Sequence, residues 1–413
     1  MSTDLLYHVC GFWGYEGVTA DYEAGKVVVT VGFPKSALRC AACHSRRVIR
    51  RGSYPRRFRS VPIGSKPVQI ALDVPRLECL DCGVVRQAPV RFADERRSYT
   101  LAFERYVLEL CRLMSLQDVA RHVLVSWDVV KDIQKRSLLT RYRKIKMGHL
   151  RHIAVDEICI GRGRRFLTIV LDLESGAIVF VGDGRDADAL DPLWKQLKRA
   201  RAKIAAVAMD MAPAYFSAVS AHLSKAVIVF DHFHIIKLFN EKLSDLRRDL
   251  HREATGKLHK KVLKGTRWLL LKNPENLDET RGERTRLEEA LALNQPLATA
   301  YYMKEDLRQI WQQSHKNAAR RVLVDWIRRA ECCGIRILTK FAHTLALHRE
   351  SILAYYDYPI STGPLEGTNN KIRTMQRQAY GYRDAEFFKL KLSTRIQIPI
   401  GRMRVHETYG KTG

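Results

Sequence analysis

Three acidic side chains occupy contexts in which a carboxylate could hold a metal ion. Asp156 lies within the apolar stretch HIAVDEICIG, Asp210 follows the apolar run IAAVAM, and Glu366 lies in the segment STGPLEGTNNKIR. Magnesium prefers carboxylate oxygens, and two ions about 3.5–4 Å apart can activate an attacking oxygen and stabilise a leaving one in phosphodiester chemistry. Three acids, one shared between both ions, are enough to hold the pair.

Each acid also has an ordinary explanation. An aspartate at the end of a strand is common as a helix cap or a turn residue. Pro364 suits the first position of a helix, which places Glu366 in the first turn, where an acid complements the helix dipole. Glu157 and Asp231 are alternative members of the set, and spacing alone does not exclude them. The case for three acids therefore depends on the elements that would bring them together.

The elements that would position these acids begin at residue 151. The patterns in 151–234 follow the order β-β-β-α-β-α-β, with Asp156 on the first strand and Asp210 at the end of the fourth. This is the order of an RNase H-like core, in which the first and fourth strands are parallel neighbours, so the two aspartates would face each other. The pattern in 235–355 is only helical, and a long helix carrying the third acid follows in 356–413.

Four of the nine cysteines form two C-x-x-C pairs, CAAC and CLDC. Each pair can form a tight knuckle at a hairpin turn, and two knuckles supply four thiolates to one tetrahedral zinc ion. The segment KPVQIALDVPRLE between them alternates as a half-buried strand does. Two unrelated pairs of buried cysteines and a redox pair are the alternatives, although no thioredoxin-like pattern surrounds either pair. The predicted zinc ligands are Cys40, Cys43, Cys79 and Cys82.

A helical segment follows from 96 to 150. Ser115 can cap a first helix, and after a short break a second helix begins near Trp127. This pattern is typical of a helix-turn-helix, which offers its second helix to the major groove of DNA. Many helix pairs share the pattern, so its weight comes from the cysteine module and the basic chain around it. The outward residues predicted to contact DNA are Lys131, Gln134, Lys135 and Arg136.

The net charge favours a polyanion partner. Lysine and arginine number 71 against 44 acidic residues, a formal charge of +27 at pH 7. Each phosphate that such a surface neutralises releases counterions, and basic clusters recur along the whole chain, although a merely soluble or ribosome-associated basic protein is the alternative. The further residues predicted to contact DNA are Arg56 and Arg57, within RRVIRRGSYPRRFR, and Asn370, Lys371, Arg373 and Arg377, after the third acid. A solvated basic loop is the alternative for the first group.

Membrane and secreted classes are disfavoured. An apolar fraction of 46 % allows sizeable cores, but no run of about eighteen apolar residues provides a membrane span. The N-terminal residues MSTDLLYHVCGFWGYEG lack a basic segment followed by an apolar stretch, so no secretory signal is expected. We therefore expect a protein of the reducing cytoplasm, with no membrane partner.

Longer motifs carry a resemblance to a known family. They are VDE at 155–157, MDMAPAY at 209–215, FDHFHIIK at 230–237 and GPLEGTNNKIRTMQRQAYGYRD at 363–384. Over nearly its whole length the chain resembles the transposases of bacterial insertion sequences of the ISL-three group. The resemblance implies a DDE-type enzyme in which Asp156, Asp210 and Glu366 are the catalytic acids and an all-helical insertion precedes the third.

The DHFH stretch resembles an Asp-x-x-His signature that several such transposases carry after the second acid. It maps to Asp231 and His234 as accessory residues, and His232 departs from the arginine that related sequences often have there. A structural and a catalytic role are both open for His234. Tryptophans of the insertion could stack on a flipped base, but core packing is expected for each. They are Trp268, Trp311 and Trp326.

The sequence thus predicts a multidomain fold. Its parts would be a zinc-ribbon-like β module at 1–95, a helix-turn-helix domain at 96–150, an RNase H-like α/β core beginning at 151–234, an all-helical insertion at 235–355 and the returning core helices at 356–413.

The predicted function is that of a DNA transposase acting on double-stranded DNA. It would bind the terminal inverted repeats of its element and catalyse cleavage and strand transfer with two Mg²⁺ or Mn²⁺ ions, next to one structural Zn²⁺. Because two transposon ends must be paired, we expect a homodimer on DNA, associated with the bacterial nucleoid. The alternatives are a stand-alone RNase H-like nuclease and a non-catalytic DNA-binding regulator derived from a transposase.

Overall fold

The computed structural model of the chain describes residues 14–142, 145–161, 165–254, 256, 263–264, 266–379 and 381–393. The chain divides into two compact units, Met1–Arg143 and Lys144–Gly413. The finer division into five domains stays a prediction. Within the described ranges, no helix is long and apolar enough to cross a membrane.

The first unit begins with a five-stranded sheet. Its strands are β1 Glu16–Glu23, β2 Lys26–Gly32, β3 Val48–Ile63, β4 Lys66–Cys79 and β5 Val85–Gln87. The order is β1-β2-β4-β3, and β5 also pairs with β4. A long antiparallel hairpin of β3 and β4 forms most of the module, and β2 joins β4 in parallel.

The alternation predicted for the strand between the cysteine pairs is confirmed. In β4, every second side chain over Val68–Val74 is buried, whereas the intervening Asp73 is exposed. The buried face packs on Phe58 and Phe92, whose rings meet edge to face with centroids 5.2 Å apart. Because one face is buried, a slip of one residue would expose the apolar side chains, so the register of the hairpin is specified.

Three helices complete the first unit, namely α1 Leu101–Leu110, α2 Leu116–His122 and α3 Trp127–Tyr142. The predicted cap is confirmed, because the backbone N–H of Asp118 donates to the Ser115 hydroxyl at 3.2 Å. The turn before α3 contains Leu124 with a φ of 54°, a left-handed conformation that reverses the chain between the helices. Apolar side chains of all three helices form one buried cluster, as expected for a helix-turn-helix.

The second unit contains another five-stranded sheet. Its strands are β6 His152–Cys159, β7 Phe166–Asp172, β8 Ile178–Asp183, β9 Ala206–Met209 and β10 Val227–Phe230. Their order is β10-β9-β6-β7-β8, in which β6, β9 and β10 are parallel and the pairs β6–β7 and β7–β8 are antiparallel. The predicted RNase H-like arrangement is confirmed, with the first and fourth strands of the core as parallel neighbours.

The described α-helices of the second unit include those that cover the two faces of this sheet. The helices are α4 Asp191–Ala200, α5 Pro213–His222, α6 His232–Glu253, α7 Arg267–Leu271, α8 Glu283–Ala292, α9 Gln295–Arg308, α10 Lys316–Cys332, α11 Arg336–Leu347, α12 Arg349–Leu353, α13 Gly363–Gln378 and α14 Ala385–Ser393. On one face, Ile153 and Val155 share a core cluster with α4 and α5. On the other, Ala154 and Ala208 pack with side chains of α13 and α14.

Between β10 and α13 the described residues contain helices and no strands, as predicted for the insertion. Core packing is confirmed for Trp326, which is fully buried and donates through Nε1 to the backbone oxygen of Met303 at 2.7 Å. Trp311 is half-buried against the same cluster. The expectation is wrong for Trp268, which is 66 % exposed. The short helix α7 buries the two leucines that follow this residue, and the tryptophan therefore faces outward.

Candidate active site and metal centre

The first two predicted acids lie side by side. In the parallel pair β6 and β9, Ala154 is opposite Ala208. Asp156 and Asp210 each lie two residues further along, and side chains alternate across a strand, so both acids share the face of these alanines. That face is the one covered by α13, the helix that carries Glu366. The topology thus brings all three acids to one side of the sheet.

Asp156 is half-buried, and both of its carboxylate oxygens are hydrogen-bonded. The backbone N–H of Glu157 donates to Oδ1 at 2.8 Å, and Nδ2 of Asn369 donates to Oδ2 at 2.9 Å. Burial raises the pKa of Asp156, the Glu157 N–H opposes the rise, and the negative charge of Asp210 adds to it. The two acids repel each other when both are ionised, and a divalent cation would relieve that repulsion.

Helix α6 brings a histidine and a lysine near the acids. His234 and Lys237 lie one turn apart on this helix, and their positive charges act to lower the pKa of Asp156. His234 is half-buried, with its ring centroid 5.9 Å from that of Phe233. The sequence motif predicted a role for His234 but not for Lys237. The field of both groups favours the ionised form that a metal ligand requires.

Glu157 is a weaker alternative to Asp156. Strand alternation turns its side chain away from the face that α13 covers. Burial raises the pKa of Glu157, and the charges of Asp210 and Asp156 raise it further. Glu157 therefore lies near the acid pair but on the other side of the strand.

Glu366 is exposed in the first turn of α13. Asn369 follows it by three positions, so the two side chains are neighbours on the helix surface, and the bond from Asn369 to Asp156 keeps this end of α13 beside the acids. Within the described ranges, only the four cysteines have ligand atoms that all lie within 4.8 Å of one another. The oxygen atoms of the three carboxylates therefore do not all lie this close to one another. Carboxylate oxygens are nonetheless the hard donors that suit Mg²⁺ or Mn²⁺.

Asp231 follows β10 beside Asp210, because β10 pairs with β9 and Phe230 lies opposite Met209, but its carboxylate is enclosed by the protein. It is 2 % exposed and forms the N-cap of α6, where its Oδ1 accepts from the backbone N–H of Phe233 at 3.2 Å. Its Oδ2 accepts from the hydroxyl of Thr362. Both oxygens of this buried carboxylate therefore bind groups of the protein itself.

The four predicted zinc ligands meet in the first unit. Their sulfur atoms form no disulfide, and the distances are 3.6 Å from Cys40 to Cys82 and 3.5 Å from Cys43 to Cys79. A tetrahedron with Zn–S bonds of about 2.3 Å has S–S edges of about 3.8 Å, so the spacing fits one zinc ion. Backbone N–H groups of Cys43 and Ala42 lower the pKa of Cys40 to about 6, which favours its thiolate, whereas, despite the Ser45 N–H, the Cys79 and Cys82 thiols raise the pKa of Cys43.

Both cysteine pairs form the same turn. The residue after each second cysteine, His44 or Gly83, has a positive φ of 62° or 68°. The N–H of that residue donates to the backbone oxygen of the first cysteine, at 3.1 Å for Cys40 and 3.0 Å for Cys79. The β3–β4 register places Val48 opposite Cys79, which brings the two turns together.

The predicted outward placement on α3 is wrong for two residues. Gln134 is only 7 % exposed, because it follows the buried Val130 by four positions and lies on the same helix face. Lys131 and Lys135 are half-buried, and Nζ of Lys131 lies 5.3 Å from the ring centroid of Trp127.

Arg136 also turns inward. Its guanidinium donates to the hydroxyl of Tyr99 at 2.8 Å and to Glu104 at 3.0 Å, and it pairs with Asp94 and Asp132 at 3.4 and 3.5 Å. These bonds join α3 to α1 and to the segment before it. Arg136 is therefore tied to side chains of the first unit, with only 26 % of its side chain exposed.

The arginines predicted to contact phosphate in the first unit lie on β3 and not on a loop. Arg56 is half-buried, donates to the backbone oxygen of Arg97 at 2.6 Å and stacks over Phe58 at 4.5 Å. Arg57 is exposed and pairs with Glu23 at 3.4 Å. Only the second guanidinium faces solvent.

Helix α13 has an exposed basic face and a buried stripe. The exposed residues are the four predicted DNA contacts Asn370, Lys371, Arg373 and Arg377. The stripe is Leu365, Asn369 and Ile372, all buried. Asn370 was predicted as a site residue, whereas the buried Asn369 was not. The signal was available, since a polar residue four positions after one buried apolar residue and three before another lies on the inner face of a helix.

Three family models match the chain. One described as "Transposase" matches residues 153–392, one described as "Helix-turn-helix domain of transposase family ISL3" matches residues 88–138, and one described as "zinc-finger of transposase IS204/IS1001/IS1096/IS1165" matches residues 36–82.

Two curated relatives cover most of the chain. The transposase for insertion sequence element IS1001 of Bordetella parapertussis is 31 % identical over 394 residues, 94 % of this chain and 97 % of the relative. The transposase for insertion sequence element IS1557 of Mycobacterium tuberculosis is 29 % identical over 391 residues, 88 % of this chain and 87 % of the relative. Among solved structures, the match to the Drosophila P element transposase strand transfer complex covers 70 % of this chain and 90 % of the solved chain, at 12 % identity and a TM-score of 0.38.

Proposed function

Because the chain belongs to transposase family ISL3, we propose that it is a DDE-type transposase whose acids Asp156, Asp210 and Glu366 bind two catalytic cations. The observation that supports this most is the pairing of β6 with β9, which aligns two acids on the face covered by the helix of the third. Two Mg²⁺ or Mn²⁺ ions would activate the attacking oxygen and stabilise the leaving oxygen. The Glu157 N–H and the Asn369 amide would orient the carboxylate of Asp156.

The proposed reaction has two steps of the same kind. Water attacks a phosphodiester at the end of the element, and the bond to the 3′-oxygen breaks, which leaves a free 3′-OH. That hydroxyl then attacks a phosphodiester of target DNA and displaces its 3′-oxygen, so one bond is broken and one is formed. Lys371, Arg373 and Arg377 on the exposed face of α13 would bind the phosphates next to the acids.

The first unit would recognise the terminal inverted repeats of the element. In a helix-turn-helix the second helix, here α3, enters the major groove. Lys131 and Lys135 on α3 would then lie near the bases or the backbone of the DNA. The zinc module would hold Arg57 toward the phosphates. Since two transposon ends must be brought together, we propose a homodimer on DNA.

The test uses purified protein, labelled end DNA, Mg²⁺ and a target plasmid. We expect metal-dependent cleavage at the end and joining to the plasmid by the wild type. Glu366→Gln should bind the end and do neither, whereas the exposed acid variant Glu331→Gln on α10 should behave as wild type. Cleavage without joining would indicate a stand-alone nuclease. Tight end binding without cleavage by any of the proteins would indicate a regulator and overturn the proposal.

A further inference from the structure

Asp231 connects two segments that are far apart in sequence. It follows β10 and caps α6, the first helix of the insertion. Its Oδ2 accepts from the hydroxyl of Thr362, which is 131 positions later and immediately precedes α13. Each residue is only 2 % exposed. One buried hydrogen bond thus joins the point where the chain leaves the core to the point where it returns.

The hydroxyl of Thr362 bonds to Asp231 and does not cap the helix that follows it. It is the N-cap of α13, a position where a threonine hydroxyl commonly accepts from a backbone N–H of the first turn. Here the side chain makes no capping bond, and only its backbone oxygen serves the turn, accepting from the N–H groups of Leu365 and Glu366 at 2.8 and 3.0 Å. The hydroxyl proton is directed at Asp231 instead. The bond therefore acts on the residue from which the turn containing Glu366 starts.

The surroundings of Asp231 suit a structural carboxylate. Its Oδ1 is hydrogen-bonded to the Phe233 N–H at the start of α6, where the helix dipole favours negative charge. The imidazole of His232 lies beside the same oxygen, with Nδ1 3.4 Å from Oδ1. A metal ion at Asp231 would have to displace bonds that hold two helices.

We propose that Asp231 and Thr362 form a clasp that positions the first turn of α13, and with it Glu366, and that Asp231 is not a ligand of the catalytic cations. The proposal rests on the proposed function of the three acids. It gives the first residue of the Asp-x-x-His stretch a positioning role that is separate from the charge of His234.

The test compares Thr362→Val, Thr362→Ser and Thr368→Val. Valine at 362 keeps the shape and removes the donor, serine keeps the donor, and Thr368 is a matched control because its hydroxyl donates only to the backbone oxygen of Pro364, at 2.9 Å within α13. We expect Thr362→Val to slow end cleavage on the order of 10- to 100-fold through misplacement of Glu366, with Thr362→Ser near wild type. Thr368→Val should be unchanged.

Two readouts do not depend on catalysis. Hydrogen exchange of the backbone amides of Gly363, Leu365 and Glu366 in the metal-free protein should accelerate in Thr362→Val and stay unchanged in Thr368→Val. Mn²⁺ titration should show that Asp231→Asn retains affinity within about threefold, whereas Asp210→Asn loses at least tenfold. Loss of Mn²⁺ by Asp231→Asn equal to that of Asp210→Asn, or unchanged exchange in Thr362→Val, would overturn the clasp. A wild type that never cleaves would refute the proposed function alone, since exchange still tests the clasp.

Discussion

Replacing Asn369 with leucine tests whether α13 tunes the acids directly. Its Nδ2 lies 2.9 Å from Oδ2 of Asp156, and Asn369 is 4 % exposed. A hydrogen bond to a charged group contributes about 1.5–3 kcal/mol, and about 1.4 kcal/mol corresponds to tenfold in rate. We therefore expect Asn369→Leu to cleave end DNA roughly 10- to 100-fold more slowly. Because the lost donor favours the ionised acid, the acidic limb of the pH–rate profile should move to higher pH.

The assay is single-turnover cleavage of labelled end DNA at saturating protein, measured across pH together with thermal unfolding. Gln376→Leu is the matched control, since Gln376 lies on the same helix but its Nε2 donates to the backbone oxygen of Ile160, at 3.2 Å. The control should lose comparable stability and keep its rate and pH profile. The reasoning is refuted by a wild-type rate and profile in Asn369→Leu, or by equal slowing of both variants.

Four further changes have defined outcomes. Removing zinc with a chelator, or Cys40→Ser, should unfold the first unit at a cost of several kcal/mol, read as zinc content and melting temperature, and an unchanged melting temperature would contradict it. Asp156→Asn should raise the melting temperature of the metal-free protein at pH 7, because folding raises the pKa of this acid and so disfavours its ionised form. The rise in melting temperature should be complete above the pKa of Asp156 in the folded state and vanish below its pKa of about 3.9 in the unfolded state. A rise that persisted below the unfolded-state pKa would contradict burial of the charge as its cause. Trp326→Ala should lower the free energy of unfolding by about 3–5 kcal/mol and the exposed Trp268→Ala by no more than about 0.5, in denaturant titrations, and equal effects would be inconsistent with the difference in burial. Arg136→Met should lower the melting temperature without changing how steeply the affinity for end DNA falls with salt concentration. A slope of log affinity against log salt that is smaller by about one would instead indicate that Arg136 contacts a DNA phosphate.

The positions of Asp156 and Asp210 were predictable because they follow from two local regularities. Each acid continues an apolar run, and side chains alternate along a strand, so the face of each acid is set by its own neighbours. The strand order then makes the two runs parallel neighbours. The four cysteines were predictable for a similar reason, since each pair shares one turn and the hairpin between them has an apolar face.

The errors arose where long-range contacts decide which side of a helix is buried. Gln134 and Arg136 looked solvent-facing by residue type, but α3 packs through that side, where a guanidinium can pair with Glu104. Trp268 looked like core by type, but its five-residue helix buries only the leucines beside it. Asn369 bonds to a residue 213 positions away, and no local pattern specifies that partner. The divisions of the chain beyond the two compact units and the roles of the site residues remain predictions.

The isolation of Glu366 favours a metal ligand over an ordinary surface acid. On a helix the natural ion-pair partners lie three or four positions away, and positions 362, 363, 369 and 370 hold threonine, glycine and two asparagines. Within the described part of the chain, the ion pairs do not include Glu366, although α13 is strongly basic. An acid used only for solubility or helix stability would gain from a cation at one of those positions. A lysine or arginine at one of those positions would neutralise the carboxylate and weaken its binding of a divalent cation. The basic residues of α13 lie further along the helix, where phosphates would lie.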